Sequence, residues 1–182
     1  MTRSQCPCSS WTRARLRSGQ KKRYRRRENH LRQLGDVQIH HFREAEDILP
    51  QVDLLFEQHI ARWEGTSNPS RFQARSVRAL FERLTVAAGP AGLLRFARLD
   101  LDERPIALAY NYCFGGRYCR GPSSFAPDLA SYSAGDVLQK YVVLQAAAEG
   151  ATLFDFGSGD QDYKMRDATR VDSLITWTMY PA

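Results

Sequence analysis

The apolar positions change period several times along the chain, and each change marks an element. Val52, Leu55, Phe56, His59, Ile60 and Trp63 fall at i, i+3, i+4, i+7, i+8 and i+11, one face of an amphipathic helix within residues 49–65. His59 sits on that stripe and reads either as a hydrogen-bonded, semi-buried side chain or as a catalytic one. After the loop residues "GTSNPS", Val77, Leu80, Phe81, Leu84 and Ala88 repeat the helical spacing and stop at Gly89-Pro90. Residues 93–99, 105–114 and 117–121 then alternate as strands. Ile106, Leu108, Tyr110, Tyr112 and Phe114 are expected on one face, with Ala107, Ala109, Asn111 and Cys113 on the other.

Gly115-Gly116 joins the last two of these strands and signals a two-residue turn that needs positive φ. Such a turn sets Cys113 opposite Tyr118 and Tyr112 opposite Cys119, so the cysteines face opposite ways and no disulfide is expected between them. A third helix follows, capped at Ser133 or Asp136, with Val137, Leu138, Tyr141, Val142 and Ala148 as its buried stripe and Gly150 as its end. "TLFDFG" and "SLITWTM" read as two further strands. Toward the start, "KKRYRRRENHLRQLG" has high helix propensity up to Gly35, and "VQIHHF" alternates as a short strand. His40 and His41 point to opposite faces of it, which argues against a shared metal. Residues 1–18 show no period and read as a flexible start. The order predicts a mixed α/β (α+β layered) domain, a largely antiparallel sheet covered by helices.

Composition sharpens this picture in two places. Residues 1–35 hold eleven Lys/Arg against the single acid Glu28, whereas the remaining 147 residues are mildly acidic. The chain therefore divides into a basic leader, 1–35, poorly ordered or helical, and a folded domain, 36–182. The leader either contacts nucleic-acid phosphates, lipid headgroups or a charged substrate or is simply solvated; any nucleic-acid contact is expected only through residues 13–32. Four cysteines at irregular spacing, no apolar run of membrane length and no secretory signal point to a soluble cytoplasmic protein with no membrane span and no metal.

Two stretches carry chemistry. Ser133-Ala134-Gly135-Asp136 opens the third helix, where unpaired backbone N–H groups either cradle a phosphate or are merely capped. "LFDFGSGDQDYKMR" places Asp155 on the opposite side of a strand from Phe154 and Phe156, then frees the backbone at Gly157 and Gly159 before Asp160, Asp162, Tyr163, Lys164 and Arg166. Lys164 and Arg166 could hold a phosphate or polarise a carbonyl, and Tyr163 could donate a proton. The alternative is a solvated loop of mixed charge.

"YSAGDVLQKYVVLQAAAEGATLFDFGSGDQDYKMR" resembles the end of the acetyltransferase-like domain of CelD-type cellulose and exopolysaccharide biosynthesis proteins, within the GNAT superfamily. The residues that carry this are Ser133, Gly135, Gly150, Asp155-Phe156, Gly159-Asp160, Tyr163-Lys164 and Arg166, with the upstream hairpin in support; it covers roughly residues 36–170. It is also distantly similar to Fem-type peptidyltransferases, whose donor is an aminoacyl-tRNA.

The resemblance implies a GNAT-like acyltransferase fold and a transfer from an acyl-CoA such as acetyl-CoA to a small-molecule or sugar amine acceptor, in polysaccharide or cell-envelope biosynthesis. It implies Lys164, Tyr163 and Asp155 as catalytic residues and Ser133, Gly135 and Arg166 as contacts to the donor. The usual pyrophosphate loop of the superfamily is reduced to Ser133-Ala134-Gly135, which leaves a different acyl donor open. Two alternatives follow: an aminoacyl-tRNA-dependent Fem-like transferase, and a catalytically inactive lobe. The basic stretch Lys21–Leu34 resembles the segment joining two lobes in this family. The chain is therefore expected to be a C-terminal lobe with a shifted start, partnered by a second GNAT-like lobe or by a homodimer mate.

Overall fold

The two-glycine hairpin organises the sheet. Gly115 and Gly116 adopt φ of +56° and +74°, the left-handed pair that matches the twist of the flanking strands. The strands it joins pair Tyr112 with Cys119 and Cys113 with Tyr118, the register expected from the sequence. The computed structural model describes residues 2–10, 22–159 and 161–176. Within them run β1 (Thr2–Ser10), α1 (Lys22–Arg32), β2 (Val37–Phe42), α2 (Ala45–Trp63), α3 (Arg75–Ala88), β3 (Leu94–Leu101), β4 (Arg104–Phe114), β5 (Arg117–Phe125), α4 (Ala134–Ala148), β6 (Leu153–Asp155), α5 (Asp162–Asp167) and β7 (Arg170–Thr176). The strand order in the sheet is β2-β3-β4-β5-β6-β1-β7. Every pairing is antiparallel except β5 with β6.

Alternation along β3 and β4 divides the core between the two faces. Ala97, Leu99, Ala107 and Ala109 pack with Val137, Leu138, Val142 and Ala146 of α4 and Leu31 of α1. Leu94, Phe96, Leu108 and Tyr110 pack with Ile48, Val52, Leu55 and Phe56 of α2 and Phe81 of α3. The sheet is thus covered by helices on both faces, the mixed α/β arrangement expected from the element order. Glu28 ties α1 to α4, accepting hydrogen bonds from Lys140 and Tyr141.

Several expectations need correction. Thr2–Ser10, where no period was readable, is a strand paired with both β6 and β7; the pairing is made by backbone groups, which leave no mark on hydropathy. Ile106 packs with Ala107 and not with Leu108. The pairing of β3 with β4 slips between Leu99 and Asp100, and the extra residue breaks the alternation there. Leu80 and Phe114 are 59% and 76% exposed, because Phe81, Thr85 and Ala88 centre the stripe of α3 and Phe114 lies at the hairpin tip. Ala148, in the last turn of α4, is exposed, and the stripe runs instead through Val143 and Ala146.

α2 begins at Ala45, so Pro50 lies inside it rather than near its start. The final strand covers Arg170–Thr176, and the Trp177–Met179 portion of the expected strand lies outside the described residues.

Candidate functional site

β5 and β6 run side by side for only three residues, Arg117↔Leu153, Tyr118↔Phe154 and Cys119↔Asp155. Beyond that, β5 continues to Phe125 while the β6 chain turns away at Gly157 and Gly159, with φ of +77° and +104°. The strands therefore part at Arg120. On its other edge β5 bulges at the same place: Asn111 pairs with Arg120 and Ala109 with Ser123, so Gly121 and Pro122 together oppose Tyr110. A Cβ at Gly121 would lie 2.3 Å from the Tyr110 carbonyl oxygen, which is why glycine occupies the bulge.

A cavity of about 220 Å³ opens where the strands part. Arg120, Ser123 and Ser124 of β5 form one wall and Tyr163 of α5 another. Ser133, Ala134, Gly135, Asp136 and Gln139 bring the beginning of α4 to it, and Arg62 reaches in from the last turn of α2. Arg120 donates to the Tyr163 hydroxyl and, at 2.6 Å, to Ser123 Oγ. Its Nε, like Nε2 of Gln139, is buried and among the described residues donates to nothing. Ser124 donates to Gln58 Oε1 at 3.1 Å, which holds β5 against α2.

The described lining carries two guanidiniums, Arg62 and Arg120, and one carboxylate, Asp136. Arg62 stacks over Phe125, 4.4 Å from its centroid, and over Trp63 at 5.2 Å. Desolvation, joined by repulsion from Arg120, brings its pKa below the ordinary guanidinium value despite the opposing effect of Tyr163. The Asp136 carboxylate is engaged by Arg27 of α1. That bond offsets the charge that would otherwise repel an anion at the opening of α4.

The residues expected to act fall into separate places. Tyr163, Ser133 and Gly135 line the cavity. Ser133 has φ +57° and its hydroxyl makes no cap; its carbonyl accepts from Asp136 N at 2.9 Å, so the predicted side-chain cap is replaced by backbone bonding. Gly135 lets Phe125 approach, since a Cβ there would stand 3.3 Å from the ring.

Asp155 and Lys164 brace the loop beside the cavity rather than line it. The Asp155 carboxylate accepts from Gly157 N at 2.8 Å, with Arg117 3.8 Å away. Lys164 is 7% exposed and donates to the Ser158 carbonyl at 2.5 Å. Arg166 is exposed on α5, apart from the cavity lining. The segment after Gly159, read from the sequence as a loop, forms a short helix at Asp162–Asp167.

Arg62, Arg120 and Gln139 were not found by sequence reasoning. Arg120 did carry a signal, since "RGP" within a strand marks a bulge; Arg62 and Gln139 carried none, because each depends on elements distant in the chain. His59 donates to or accepts from Ser70 Oγ at 2.9 Å and lies outside the cavity. Among the described residues no group of three or more His, Cys, Asp and Glu could hold a metal ion, and no helix is long and apolar enough to cross a membrane.

Comparison with protein families matches residues 18–165 to the acetyltransferase (GNAT) domain. Comparison with curated proteins gives no match. Among solved structures, FemX matches with a TM-score of 0.65 at 10% identity, over 93% of this chain and 59% of FemX. The C-terminal domain of a protein assigned as a lysylphosphatidylglycerol synthetase of Agrobacterium fabrum matches with a TM-score of 0.61 at 15% identity, over 90% of this chain and 48% of that one. L-PGS from Bacillus licheniformis matches at 0.56 and 12% identity, over 85% and 45%. The chain thus spans about half the length of these structures, and at such identities the likeness is one of fold.

Proposed function

This chain belongs to the acetyltransferase (GNAT) domain family, and we propose that it is an acyl-CoA-dependent N-acyltransferase acting on an amine in cytoplasmic steps of cell-envelope polysaccharide synthesis. The observation that carries this reading is the parting of β5 from β6 at Arg120, beside the Gly121-Pro122 bulge, with a donor-rich cavity in the gap. The residues present suit a thioester donor: α4 opens toward the cavity, where helix N–H groups lack intrahelical acceptors.

In the proposed reaction the neutral amine nitrogen attacks the thioester carbonyl carbon. A C–N bond forms, the C–S bond breaks, the amine's proton passes to solvent, and the sulfur leaves as a thiolate. Tyr163 gives its phenolic proton to that sulfur and is reprotonated from solvent. Arg120, bonded to the same phenol, stabilises the negative charge it acquires. Lys164 and Asp155 hold the loop that aims Tyr163. Ser133, Gly135 and Arg166 are assigned to contacts with the donor. The protein's contribution is chiefly the positioning of two reactants and an oxyanion contact.

A second reading is an aminoacyl-tRNA-dependent transferase. α1 favours it: Lys22, Arg25 and Arg26 are exposed along a shallow basic surface, as a phosphate backbone would require. A third reading, an inactive lobe paired with a second lobe, draws on the half-length span of the chain against FemX and the synthetase structures. Incubating the full chain with acetyl-CoA and a panel of amines, with and without charged tRNA, separates the three. Thiol release without tRNA supports the leading reading. A strict tRNA requirement moves the chemistry to the second, and inactivity with every donor to the third.

A further inference from the structure

We infer that the cavity at the parted strands selects an acceptor amine that carries its own oxyanion, a carboxylate or a phosphate, held by Arg62, Arg120 and Gln139. This rests on the transferase reading and deepens it to the class of acceptor. The three side chains arrive from α2, β5 and α4, so only the folded chain assembles them. Among the described residues neither guanidinium has a carboxylate partner: Arg120 is bonded to two hydroxyls and Arg62 stacks on aromatic rings. Two guanidiniums close enough for one to lower the other's basicity repel, and an anion between them converts that repulsion into attraction.

The buried donors point the same way. Gln139 is 9% exposed and lines the cavity, and among the described residues neither its Nε2 nor Arg120 Nε has an acceptor. Buried N–H groups are ordinarily satisfied, so each of these calls for an acceptor from water or from a bound ligand. Among the described residues Asp136 is the acid of the lining and is matched by Arg27, which leaves Arg62 and Arg120 as its uncompensated charges.

Size and place assign the anion to the acceptor rather than the donor. The cavity, about 220 Å³, is smaller than the roughly 300 Å³ at which pockets for drug-sized ligands begin. A carboxylate or phosphate head fits within it. Arg120 is the first β5 residue beyond the last pair with β6, beside the place where the thioester carbonyl would sit. In coenzyme A the whole pantetheine arm separates that carbonyl from the phosphates. An oxyanion at Arg120 therefore belongs to the other reactant.

Calorimetric titration of the full chain tests this with matched amines, glucosamine 6-phosphate against glucosamine and alanine against alaninamide, with and without coenzyme A. The expected result is that an anionic member binds roughly tenfold or more tighter than its neutral counterpart, the difference that charge-assisted hydrogen bonds supply. The preference is expected to disappear in Arg62→Met, to shrink in Gln139→Leu and to persist in part in Arg62→Lys, with thermal unfolding showing each variant folded. Equal binding within both pairs, or a preference that survives Arg62→Met, overturns the inference. So does weakened coenzyme A binding with an unchanged amine preference, which would give the guanidiniums to the donor's phosphates. Because binding is read without turnover, a protein that shows the preference but transfers nothing refutes the transferase reading and not this one.

Discussion

Arg120 donates a hydrogen bond to the phenolic oxygen of Tyr163 and lays its guanidinium against the same ring, 5.0 Å from the centroid. One residue belongs to the strand that leads away from the parting and the other to the helix that follows it. The pair bridges the gap between the parted strands.

That geometry makes Tyr163→Phe informative. The ring and its cation contact survive, and the proton is lost. Steady-state kinetics on a responsive amine are expected to show kcat falling by about a hundredfold while KM for the donor changes little. A fall confined to KM would make Tyr163 a binding contact instead.

Lys164→Met removes a buried ammonium while keeping an unbranched apolar stem. The charge-assisted bond to the Ser158 carbonyl ties α5 to the Gly157–Gly159 turn, and its loss is expected to cost about 1–3 kcal/mol. Urea unfolding measures the shift in midpoint; an unchanged midpoint would show that the loop is held by other means.

Gly121→Ala probes the bulge. The added methyl would meet the Tyr110 carbonyl oxygen at 2.3 Å and the Tyr112 ring at 3.0 Å, and neither backbone nor a half-buried ring yields freely. A destabilisation of about 3 kcal/mol is expected, read as a lowered unfolding temperature. Retention of full stability would mean that β5 can shift its pairing against β4.

The joint between α1 and α4 predicts a pH dependence. Burial pulls the Glu28 pKa upward, but hydrogen bonds from Lys140, Tyr141 and Arg32 outweigh it and hold the carboxyl below its ordinary range. Its folded-state value is therefore lower than its unfolded one. The stabilisation is present above the ordinary carboxylate range and is lost as pH falls through the depressed value. Glu28→Gln is expected to be less stable than the native chain at neutral pH by about 1–2 kcal/mol, allowing for solvent screening, and the two are expected to converge in acid. Parallel stability curves would exclude this linkage.

The elements governed by local chemistry were legible in the sequence. The Gly115-Gly116 turn fixed the register of β4 with β5 down to the Cys113–Tyr118 pair, because a two-residue turn leaves the strands no choice. The stripes of α2 and α4 are legible at their centres, where period and burial agree; the reading fails at Ala148, in the last turn of α4, and at Leu80 of α3, whose stripe is centred on Phe81. The cavity was half legible. Tyr163, Ser133 and Gly135 lie near a strand exit and a helix start that the chain announces. Arg62 and Gln139 meet them only through packing across the sheet, and no spacing in the sequence records that meeting. Lys164 drew attention through its charge, and its burial depends on the turn that folds back over it.

β1 lies between β6 and β7, the two strands made last. During synthesis it emerges from the ribosome well ahead of both partners, and nearly the whole domain must follow before its amides find acceptors. An unpaired strand kept waiting in this way is a template for intermolecular pairing. The seam that completes the sheet is therefore also the step at which nascent chains are most exposed to misassembly.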